Sequence, residues 1–558
     1  IIASFSGIAQ VFPAKNYPQG YFQWPIAAKV GLAANFGELR PNHYHMGLDC
    51  RSDQVENRPV YAAAEGYIAK VRIDPSGFGR CIMINHPNGL TTLYAHLNDF
   101  DPAIEKYVKE QQYKLQSWKV LLDIPAHLLP VKKGQFIAYS GNTGGSQGPH
   151  LHFEIRDTKT DKVLNPLLFG FPVADNIAPD ILRLAVYDRS ISTYEQTPRI
   201  YALRKVNGVY VPTPSLIIAH SDKISFAITA YDRYSGSTNQ NGIYEAVLYD
   251  DEKAVVGFQL DSITYDETRY LNAHIDYKLK LSGGPYVQHL SKLPGYPDNG
   301  IYKQISGDGV IQLKDNNVHS IEINVKDVNG NTSVVAFATK RDLINDVNIP
   351  NPFIKTNEFY PGFVNVFENA EVRFHMPENA LYDSLRFTIK QTPAINGNTV
   401  YELKNGNVPV QCYFPVSIKR EVAPQYFNKI MMESFWGGKN NFCKAEPLKD
   451  NWYKGSFRAF GNYRLIIDTL PPTITSIGFR NGMNCKGISR LAFIVIDNTE
   501  ELNFTAILDG NWLRFSNDKG RTFIYKFDEK CMPGEHELKI RAEDLVGNVT
   551  EKVYNFTR

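Results

Sequence analysis

An internal repeat constrains the fold of this chain more than any other sequence feature. The segment HSIEINVKDVNGN, which starts at His319, aligns without gaps with HELKIRAEDLVGN, which starts at His536. Each copy has the alternating apolar residues of a half-buried β-strand, then an Asp-x-x-Gly-Asn turn and a second strand. A strand pair of this kind commonly ends an immunoglobulin-like β-sandwich. The repeat therefore predicts two such sandwiches in tandem.

Proline-containing linkers predict where these sandwiches begin. The linker DNIAPDIL starts at Asp175 and the linker DTLPPTIT at Asp468, and each leads into alternating apolar residues. Residues 468–558 have the size of a minimal sandwich, whereas residues 173–345 must carry long insertions. Residues 346–467 contain strand-like runs without the repeated ending, and we predict a further β-sandwich there. Aromatic residues make up 12% of the chain, which also favours a mainly β protein.

The charge balance argues against a nucleic-acid partner. Sixty basic and 58 acidic residues give a net charge of +2, and no block of Lys and Arg forms the basic surface that a nucleic-acid binder needs. No run of about 18 apolar residues occurs, so we predict no transmembrane span.

The first ten residues, IIASFSGIAQ, resemble the end of a secretory signal peptide. Residues 1–9 would then be the remnant of this signal, with cleavage before Gln10, and a buried N-terminal strand is the alternative. The six cysteines form no CxxC pair, which fits optional disulfides in an exported protein better than a cysteine metal site. Cys50 and Cys81 lie on neighbouring predicted strands and could form a disulfide.

Histidines in the first 172 residues carry the clearest chemical signal. In GPHLHFEI, His150 and His152 occupy alternate positions of a predicted strand, so both lie on one face, about 6.6 Å apart. In NHYHMGLDC, His45 and Asp49 would lie about 13 Å apart on an extended strand. A loop or bulge at Gly47 must therefore bring them together if they bind one ion. Two histidines and one carboxylate are typical of catalytic zinc, which keeps a fourth position for water.

Four motifs follow one another between Phe36 and Arg156: FGELRPNHYHMGLD, PVYAAAEGYIAKV, GRCIMINHPNGLTTLYAHL and VKKGQFIAYSGNTGGSQGPHLHFEIR. In this order they resemble the lysostaphin-type (LytM-like) zinc endopeptidases, which cut peptide cross-links in bacterial cell walls. The resemblance implies that residues 10–172 form an antiparallel β-sheet peptidase domain. It also implies one Zn²⁺ per chain, held by His45, Asp49 and His152, and two catalytic histidines that do not bind the metal, His96 and His150.

The resemblance also implies a mechanism and a location. Zinc lowers the pKa of bound water towards about 7 and polarises the carbonyl that is attacked. His150 would take the proton of this water and pass it to the leaving amine, while His96, as a donor, would orient the water or stabilise the oxyanion. The expected substrates are peptidoglycan stem peptides, and the expected location is the periplasm or cell envelope of a bacterium.

A second function of a different class is also compatible with the sequence. The predicted sandwiches make up more than two thirds of the chain. A non-catalytic envelope module could use the peptidase fold to bind wall peptides and its immunoglobulin-like domains to bind envelope protein partners. The complete set of five family positions favours the enzyme.

The chain departs from the family pattern at an insertion, residues 98–130. Asp101-Pro102 predicts the start of a helix, and an apolar stripe follows at Ile104, Tyr107, Val108, Gln111 and Leu115. Because the insertion follows His96 directly, we expect it beside the active-site cleft, as a lid or as a wall of the substrate groove. A surface excursion without function is the alternative.

Overall fold

The computed structural model describes residues 11–13, 15–298, 300–315, 317–342, 357–393, 398–499 and 502–558. The predicted signal remnant, residues 1–9, lies outside the described residues. Within the described residues the chain forms 47 β-strands and three α-helices, so the prediction of a mainly β protein is confirmed. None of these helices is long and apolar enough to cross a membrane.

The N-terminal region, residues 11–172, contains a large antiparallel sheet, a smaller sheet of three strands and one helix. Its elements are β1 (Leu32–Ala34), β2 (Leu39–Arg40), β3 (His43–Tyr44), β4 (Leu48–Arg51), β5 (Pro59–Tyr61), β6 (Gly66–Ile73), β7 (Arg80–Asn85), β8 (Leu90–Ala95), β9 (Leu97–Phe100), α1 (Pro102–Leu115), β10 (Val120–Asp123), β11 (Pro130–Val131), β12 (Phe136–Ser140), β13 (His150–Asp157) and β14 (Val163–Leu164). The large sheet has the order β1-β4-β13-β8-β7-β6-β10, and the smaller one β5-β12-β9. This antiparallel sheet agrees with the predicted peptidase fold.

The second region, residues 173–342, contains the first copy of the sequence repeat. Its elements are β15 (Asp180–Asp188), β16 (Arg199–Val206), β17 (Val209–Pro212), β18 (Leu216–Ala219), β19 (Lys223–Tyr231), β20 (Glu245–Asp250), β21 (Lys253–Gln259), β22 (Ser262–Ile263), α2 (Leu271–His274), α3 (Tyr277–Leu281), β23 (Gln288–His289), β24 (Tyr302–Gln304), β25 (Ile311–Gln312), β26 (His319–Lys326) and β27 (Thr332–Arg341). Its main strands follow the order β23-β19-β15-β16-β17-β27-β26-β20-β21-β24. The helices α2 and α3 lie in a long insertion between β22 and β23, as the length of the region predicted.

The third region, described over residues 357–393 and 398–467, consists mainly of two five-stranded sheets. Its strands are β28 (Asn357–Phe359), β29 (Asn365–Glu368), β30 (Val372–Met376), β31 (Leu385–Phe387), β32 (Ile389–Thr392), β33 (Val400–Leu403), β34 (Phe414–Lys419), β35 (Ile430–Trp436), β36 (Lys439–Lys444), β37 (Glu446–Pro447), β38 (Trp452–Phe457) and β39 (Gly461–Ile467). The sheets have the orders β29-β30-β34-β38-β37 and β32-β33-β39-β35-β36. Buried residues of both sheets share one core, which agrees with the predicted β-sandwich.

The fourth region, residues 468–558, has a core of its own. Its strands are β40 (Thr473–Ser476), β41 (Met483–Asn484), β42 (Arg490–Ile496), β43 (Asn503–Leu508), β44 (Asn511–Trp512), β45 (Thr522–Lys526), β46 (Glu535–Glu543) and β47 (Val549–Thr557). They form the sheets β40-β42-β45 and β41-β47-β46-β43-β44. Short 3₁₀ helices complete the described elements of the chain, at Pro166–Phe169, Thr193–Glu195, Thr268–Tyr270, Pro424–Lys429 and Lys449–Asn451.

The two copies of the repeat form the same local structure. β26 pairs with β27 and β46 pairs with β47, each as an antiparallel hairpin. The Asp-x-x-Gly-Asn turn closes both hairpins, and Gly330 and Gly547 have φ of 89° and 76° there, a conformation that glycine adopts without strain. The predicted strand, turn and strand are therefore confirmed, while the immunoglobulin-like topology stays a prediction.

The insertion at residues 98–130 is part of the N-terminal region's core. Asp101 caps α1 by accepting a hydrogen bond from the backbone N–H of Ala103 at 2.9 Å. The buried residues of α1 are Ile104, Val108 and Gln112. The predicted stripe was wrong at its end, because Leu115 is 57% exposed. After the helix, β10 pairs with β6 and extends the large sheet.

All six cysteines are free thiols. Cys50 and Cys81 are both buried, and the disulfide considered between them does not form. Cys50 packs in the main core of the N-terminal region, whereas Cys81 packs in a small separate cluster with Leu93 and Ala95. Burial raises the pKa of the Cys50 and Cys81 thiols, so both are apolar core residues.

Candidate metal centre and active site

The pairing of β4 with β13 brings the predicted metal ligands together. Asp49 lies directly opposite His152 in this antiparallel pair, and His45 lies in the short link between β3 and β4. Gly47 sits in this link. A Cβ atom at Gly47 would lie 2.5 Å from the carbonyl oxygen of Phe153 and 2.9 Å from His152 Cε1. The sequence analysis assigned a bend to Gly47, and the structure adds that only glycine allows the link to pass this close to β13.

The three predicted ligands converge on one point. His45 Nε2 lies 2.9 Å from Asp49 Oδ1, His152 Nδ1 lies 3.0 Å from the same oxygen, and the two nitrogens are 3.0 Å apart. In tetrahedral zinc with bonds near 2.1 Å, ligand atoms lie about 3.4 Å apart. Slight outward shifts would therefore place an ion between the three atoms. All three residues are buried, and this donor set fits a transition metal such as zinc.

Hydrogen bonds to neighbouring groups orient both histidines of this set. His45 Nδ1 donates to the carbonyl oxygen of Asn35 at 2.6 Å, which leaves Nε2 free to bind a metal. His152 Nε2 donates to Glu154 Oε1 at 2.9 Å, which leaves Nδ1 for the metal. Metal-binding histidines commonly use their second nitrogen in this way, and the partner fixes the tautomer and the ring orientation.

Electrostatics favour a positive charge at the centre of the set. Burial lowers the pKa of His45 to about 4, so its ring is neutral at neutral pH. Burial alone would raise the pKa of Asp49. Contacts with His45, His150 and His152 outweigh burial and hold this pKa well below its usual range. Burial also opposes the protonation of His152, yet Asp49 and Glu154 raise its pKa to about 9. Two buried carboxylates therefore stabilise positive charge beside His152, and a bound cation would replace the proton there.

His96 and His150 lie next to the set, and their rings are in contact with planes tilted by 59°. Their ring centroids are 4.9 Å apart, and His150 Nε2 lies 3.3 Å from Asp49 Oδ1. His150 Nδ1 donates to the carbonyl oxygen of Gly148 at 2.8 Å, and His96 Nδ1 donates to that of Thr143 at 2.9 Å. In the neutral form both rings therefore present an unprotonated Nε2. Burial lowers the pKa of His96 to about 3, so the donor role predicted for His96 requires that it first receives a proton.

Sequence reasoning missed two charged residues that hold the ligands. Glu154 is fully buried and bonds both His152 and the Arg156 guanidinium, with Arg156 Nε 2.7 Å from Oε2. Alternation along β13 places His150, His152, Glu154 and Arg156 on one face, so the strand pattern contained this signal. Arg40 donates to Asp49 Oδ2 at 2.5 Å; it lies within the first of the four motifs, but the resemblance assigned it no role.

A cavity of about 840 Å³ lies beside His150. Its first wall belongs to the N-terminal region and includes Arg51, Ser52 and His150. Its second wall is residues 234–239 of the second region, and residues 172–174 complete the lining. Among the described residues of this lining, His150 is the one that belongs to the candidate site, and mixed polar and apolar linings of this size are typical of ligand sites.

The fourth region contacts the loop that leads to His150. In this loop, residues 142–148, the Gly144 N–H donates to the carbonyl oxygen of Asp518 at 3.2 Å. Lys519 Nζ donates to the carbonyl oxygen of Ser146 at 3.0 Å. Helix α1 forms a second contact with the fourth region, because Lys109 Nζ lies 2.7 Å from Asp528 Oδ2 and Arg514 donates to Gln112 at 2.7 Å.

Comparison with known families agrees with this geometry. The model of peptidase family M23 matches residues 43–113 and 129–166, and the gap between the two segments falls within the insertion. The model of the Zu5-like domain matches residues 357–468 in the third region.

Known relatives match about a third of the chain or less. The DD-carboxypeptidase/endopeptidase Mpg of Neisseria meningitidis is 32% identical over 165 residues, which cover 30% of this chain and 29% of Mpg. The peptidoglycan DD-endopeptidase ShyA of Vibrio cholerae is 26% identical over 165 residues, which cover 28% of this chain and 32% of ShyA. The chain thus matches less than a third of the length of either relative.

A solved structure of the catalytic domain of lysostaphin from Staphylococcus simulans has 23% sequence identity, covers 25% of this chain and 91% of that domain, and gives a TM-score of 0.19. The family match spans the three predicted metal ligands and the two predicted catalytic histidines. Residues 43–113 and 129–166 therefore match peptidase family M23, and the resemblance that the four motifs predicted is confirmed for this part of the chain.

Proposed function

We propose that the chain is a zinc-dependent endopeptidase that cleaves peptide cross-links of bacterial peptidoglycan. The observation that carries the proposal is the convergence of His45 Nε2, Asp49 Oδ1 and His152 Nδ1 within 3.0 Å of one another. The M23 family match and the names of the two relatives support it. As the sequence analysis expected, we place the protein in the periplasm or cell envelope, with one Zn²⁺ per chain.

The residues around the proposed zinc site would have different roles in amide hydrolysis. His45, Asp49 and His152 would hold the zinc ion, which would supply a Lewis acid to activate water and polarise the scissile carbonyl. His150 Nε2 faces this site and can accept the proton of the attacking water, then pass it to the leaving amine. His96 Nε2 stands beside it and can hold the water as an acceptor. Once protonated, either ring can donate a hydrogen bond to the oxyanion.

The direct test is digestion of purified cross-linked muropeptides by the intact chain. We expect cleavage products with zinc present, loss of cleavage after treatment with a chelator, and recovery on adding back zinc. Mass spectrometry of the products identifies the bond that is cut. Stoichiometric zinc without any cleavage would instead support the alternative function, a non-catalytic module that binds wall peptides or scaffolds envelope proteins.

We further propose that the fourth region restrains the active site through helix α1 and the loop at residues 142–148. Strand β10 and several side chains of the insertion belong to the core, which argues against a surface excursion without function. Helix α1 of the insertion contacts the fourth region through Lys109 and through the buried Gln112. The fourth region in turn bonds the loop that precedes His150. Movement of this loop is thereby coupled to the docking of the fourth region.

Point variants test this restraint without opening the core. We expect Lys519→Ala and Lys109→Ala together to raise the rate of muropeptide cleavage several-fold at unchanged zinc content. Lys114→Ala, at an exposed position of the same helix, is the matched control and should leave the rate unchanged. A double variant that cleaves at the parental rate would contradict the restraint while leaving the proposed hydrolase intact.

A further inference from the structure

Three carboxylates converge where the chain enters the second region. Asp175 belongs to the linker before β15, Asp232 follows β19, and Asp327 begins the turn between β26 and β27. Each offers an oxygen, and these oxygens lie within 4.8 Å of one another. Within the described residues, no ion pair with Lys or Arg is seen at any of the three. Like charges this close repel one another unless a proton or a cation lies between them.

Several oxygens of this group are buried without a hydrogen-bond partner. Asp232 is 1% exposed, and its Oδ1 has no partner among the described residues; the same is true of the buried Asp175 Oδ2. Asn241 exchanges both backbone hydrogen bonds with Asp232, and its buried Oδ1 also lacks a partner. Burial, with Asp175 and Asp327, raises the pKa of Asp232 to about 8. Native proteins rarely leave such groups unsatisfied, so each needs an explanation.

The fourth region repeats the same arrangement at the corresponding positions of its sequence. Asp468 lies in the linker, Asp497 follows β42, and Asp544 begins the hairpin turn, again with oxygens within 4.8 Å. Asp468 is 2% exposed, and its Oδ2 has no partner among the described residues. Two separate regions have therefore kept the same three carboxylates and left a buried oxygen of the linker residue free in both.

The hydrogen bonds that position the carboxylates also correspond. Asp175 Oδ1 accepts from the N–H of Ile177 at 3.1 Å, and Asp468 Oδ1 accepts from that of Leu470 at 3.1 Å. In the hairpin turns, Asp327 Oδ1 and Asp544 Oδ1 each accept from the N–H of the asparagine four residues later, at 2.9 and 2.8 Å. The asparagine side chain bonds the other oxygen in both turns. One oxygen of each linker carboxylate is thus fixed by the backbone while the other stays free.

Another acidic group of the second region serves as a comparison. It is self-contained, because it includes a positively charged partner of its own. His319 Nδ1 lies 3.0 Å from Asp250 Oδ1, and His319 Nε2 lies 3.2 Å from Asp315 Oδ1. Histidine supplies the positive charge there, although burial alone would oppose it, and these carboxylates raise its pKa. Neither of the two repeated clusters contains such an internal cation.

We propose that Asp175, Asp232 and Asp327 form one Ca²⁺ site, and that Asp468, Asp497 and Asp544 form an equivalent second one. Both sets offer only oxygen donors, which hard cations prefer and zinc does not require. Ca²⁺ takes six to eight oxygens in flexible geometry, whereas Mg²⁺ demands a near-ideal octahedron and keeps several waters. Carboxylates that come from three separate segments suit the more permissive ion.

Ca²⁺ in the first site would hold together the segments that line the cavity beside His150. The consequence for substrate binding rests on the proposed function. Asp232 precedes the loop that forms the second wall, residues 234–239, and Asp175 follows residues 172–174, which complete the lining. An ion bound by both aspartates would hold these two segments together. We therefore expect Ca²⁺ to order the substrate cavity without touching the zinc ligands.

Metal binding is measured on the intact, zinc-loaded chain after calcium has been removed. Titration with CaCl₂ by calorimetry, with elemental analysis after gel filtration, should find two Ca²⁺ per chain. Asp232→Asn and Asp468→Asn should each remove one of them. Asp251 belongs to the self-contained group, with its Oδ2 3.9 Å from His319 Nδ1, and Asp251→Asn should remove none. No calcium at millimolar concentration, or two ions in both variants, would overturn the proposal. Because no step measures cleavage, this result is independent of the proposed hydrolase.

Thermal unfolding gives a second test, because Asp232→Asn should change the melting temperature in opposite directions without and with calcium. Asp232→Asn removes a buried carboxyl that, without a cation, must either take up a proton or repel its two neighbours, so in calcium-free buffer the variant should melt at a higher temperature than the parent. With calcium the order should reverse, since only the parent keeps both sites. If Asp232→Asn fails to fold, Asp175→Asn tests the same site at a less buried position. A parent whose melting temperature does not respond to calcium would contradict both sites.

Discussion

At the scale of single residues, the site depends on side chains of one strand that have different roles. Four polar side chains lie on one face of β13. His152 belongs to the proposed ligand set, Glu154 accepts a hydrogen bond from His152, and Arg156 donates one to Glu154. His150 lies beside the set, its Nδ1 hydrogen-bonded to its own loop. Alternation in the sequence predicted that the two histidines share a face, and the family resemblance supplied their roles. Neither could identify Arg40, because its contact with Asp49 depends on the path of a loop.

The two histidines of the H-x-H motif should respond differently to substitution. His150→Ala should retain zinc and lose cleavage, because we assign His150 as the proton acceptor. His152→Ala should lose both, because it removes a ligand. Zinc content by elemental analysis and muropeptide cleavage are the two measurements. Equal loss of zinc in both variants would show that the roles are assigned wrongly.

Glu154→Gln should weaken zinc binding while leaving the ligands in place. The substitution removes the charge that fixes the tautomer of His152, and the loss of such a partner typically costs 10- to 100-fold in metal affinity. Competition with a chromophoric chelator measures the affinity. Asp161→Asn removes an exposed partner of Arg156 and serves as the control, with zinc affinity expected near the parental value.

At the scale of secondary-structure elements, strand pairing sets the distances in the site. The register of β4 on β13 places Asp49 opposite His152, and Gly47 lets the preceding link pass close to β13. Sequence patterns predicted the strands and the start of α1 at Asp101, but not the end of its buried face. The stripe failed at Leu115 because α1 packs on the core along Ile104, Val108 and Gln112, where the amide of Gln112 bonds the carbonyl oxygen of Trp118.

Gly47→Ala should disrupt the metal site although it changes no ligand. Its Cβ would lie 2.5 Å from the carbonyl oxygen of Phe153, so β4 and β13 must separate or the link must move. We expect a loss of about 1–3 kcal/mol in stability, as for other overpacked sites, together with weaker zinc binding. Gly148→Ala is the matched control, because a Cβ there meets no atom within 4 Å. Denaturant unfolding and zinc titration of the two variants decide the point, and equal behaviour would contradict this role for Gly47.

At the scale of the whole molecule, the regions contribute to one another's sites. Tyr265 of the second region donates a hydrogen bond to Glu154 Oε1 at 2.5 Å, and Phe36, Tyr44 and Met46 of the N-terminal region pack in the core of the second and third regions. The sequence predicted the hairpin that each repeat forms. It could not predict these contacts, because they join residues more than a hundred positions apart and no local periodicity records them.

Tyr265→Phe should lower zinc affinity by a smaller factor than Glu154→Gln. The hydroxyl stabilises the charged carboxylate that orients His152, and its removal takes away one of several partners. The ring keeps its place beside Phe78 and Arg156, so the fold should be preserved. Tyr139→Phe, at an exposed position of β12, controls for the loss of a hydroxyl. Zinc affinity that is unchanged in Tyr265→Phe would mean that the second region does not influence the metal site.

The pairing of β14 with β22 has a mechanical consequence. Val163 and Leu164 bond Ile263 and Ser262 edge to edge, so the large sheet of the N-terminal region continues into the second region without an intervening flexible hinge. Tension applied across these two regions must break a hydrogen-bonded strand pair as well as stretch the linker at residues 173–179. A protein built this way transmits strain from its second region directly to β13, the neighbour of β14 that carries His150 and His152.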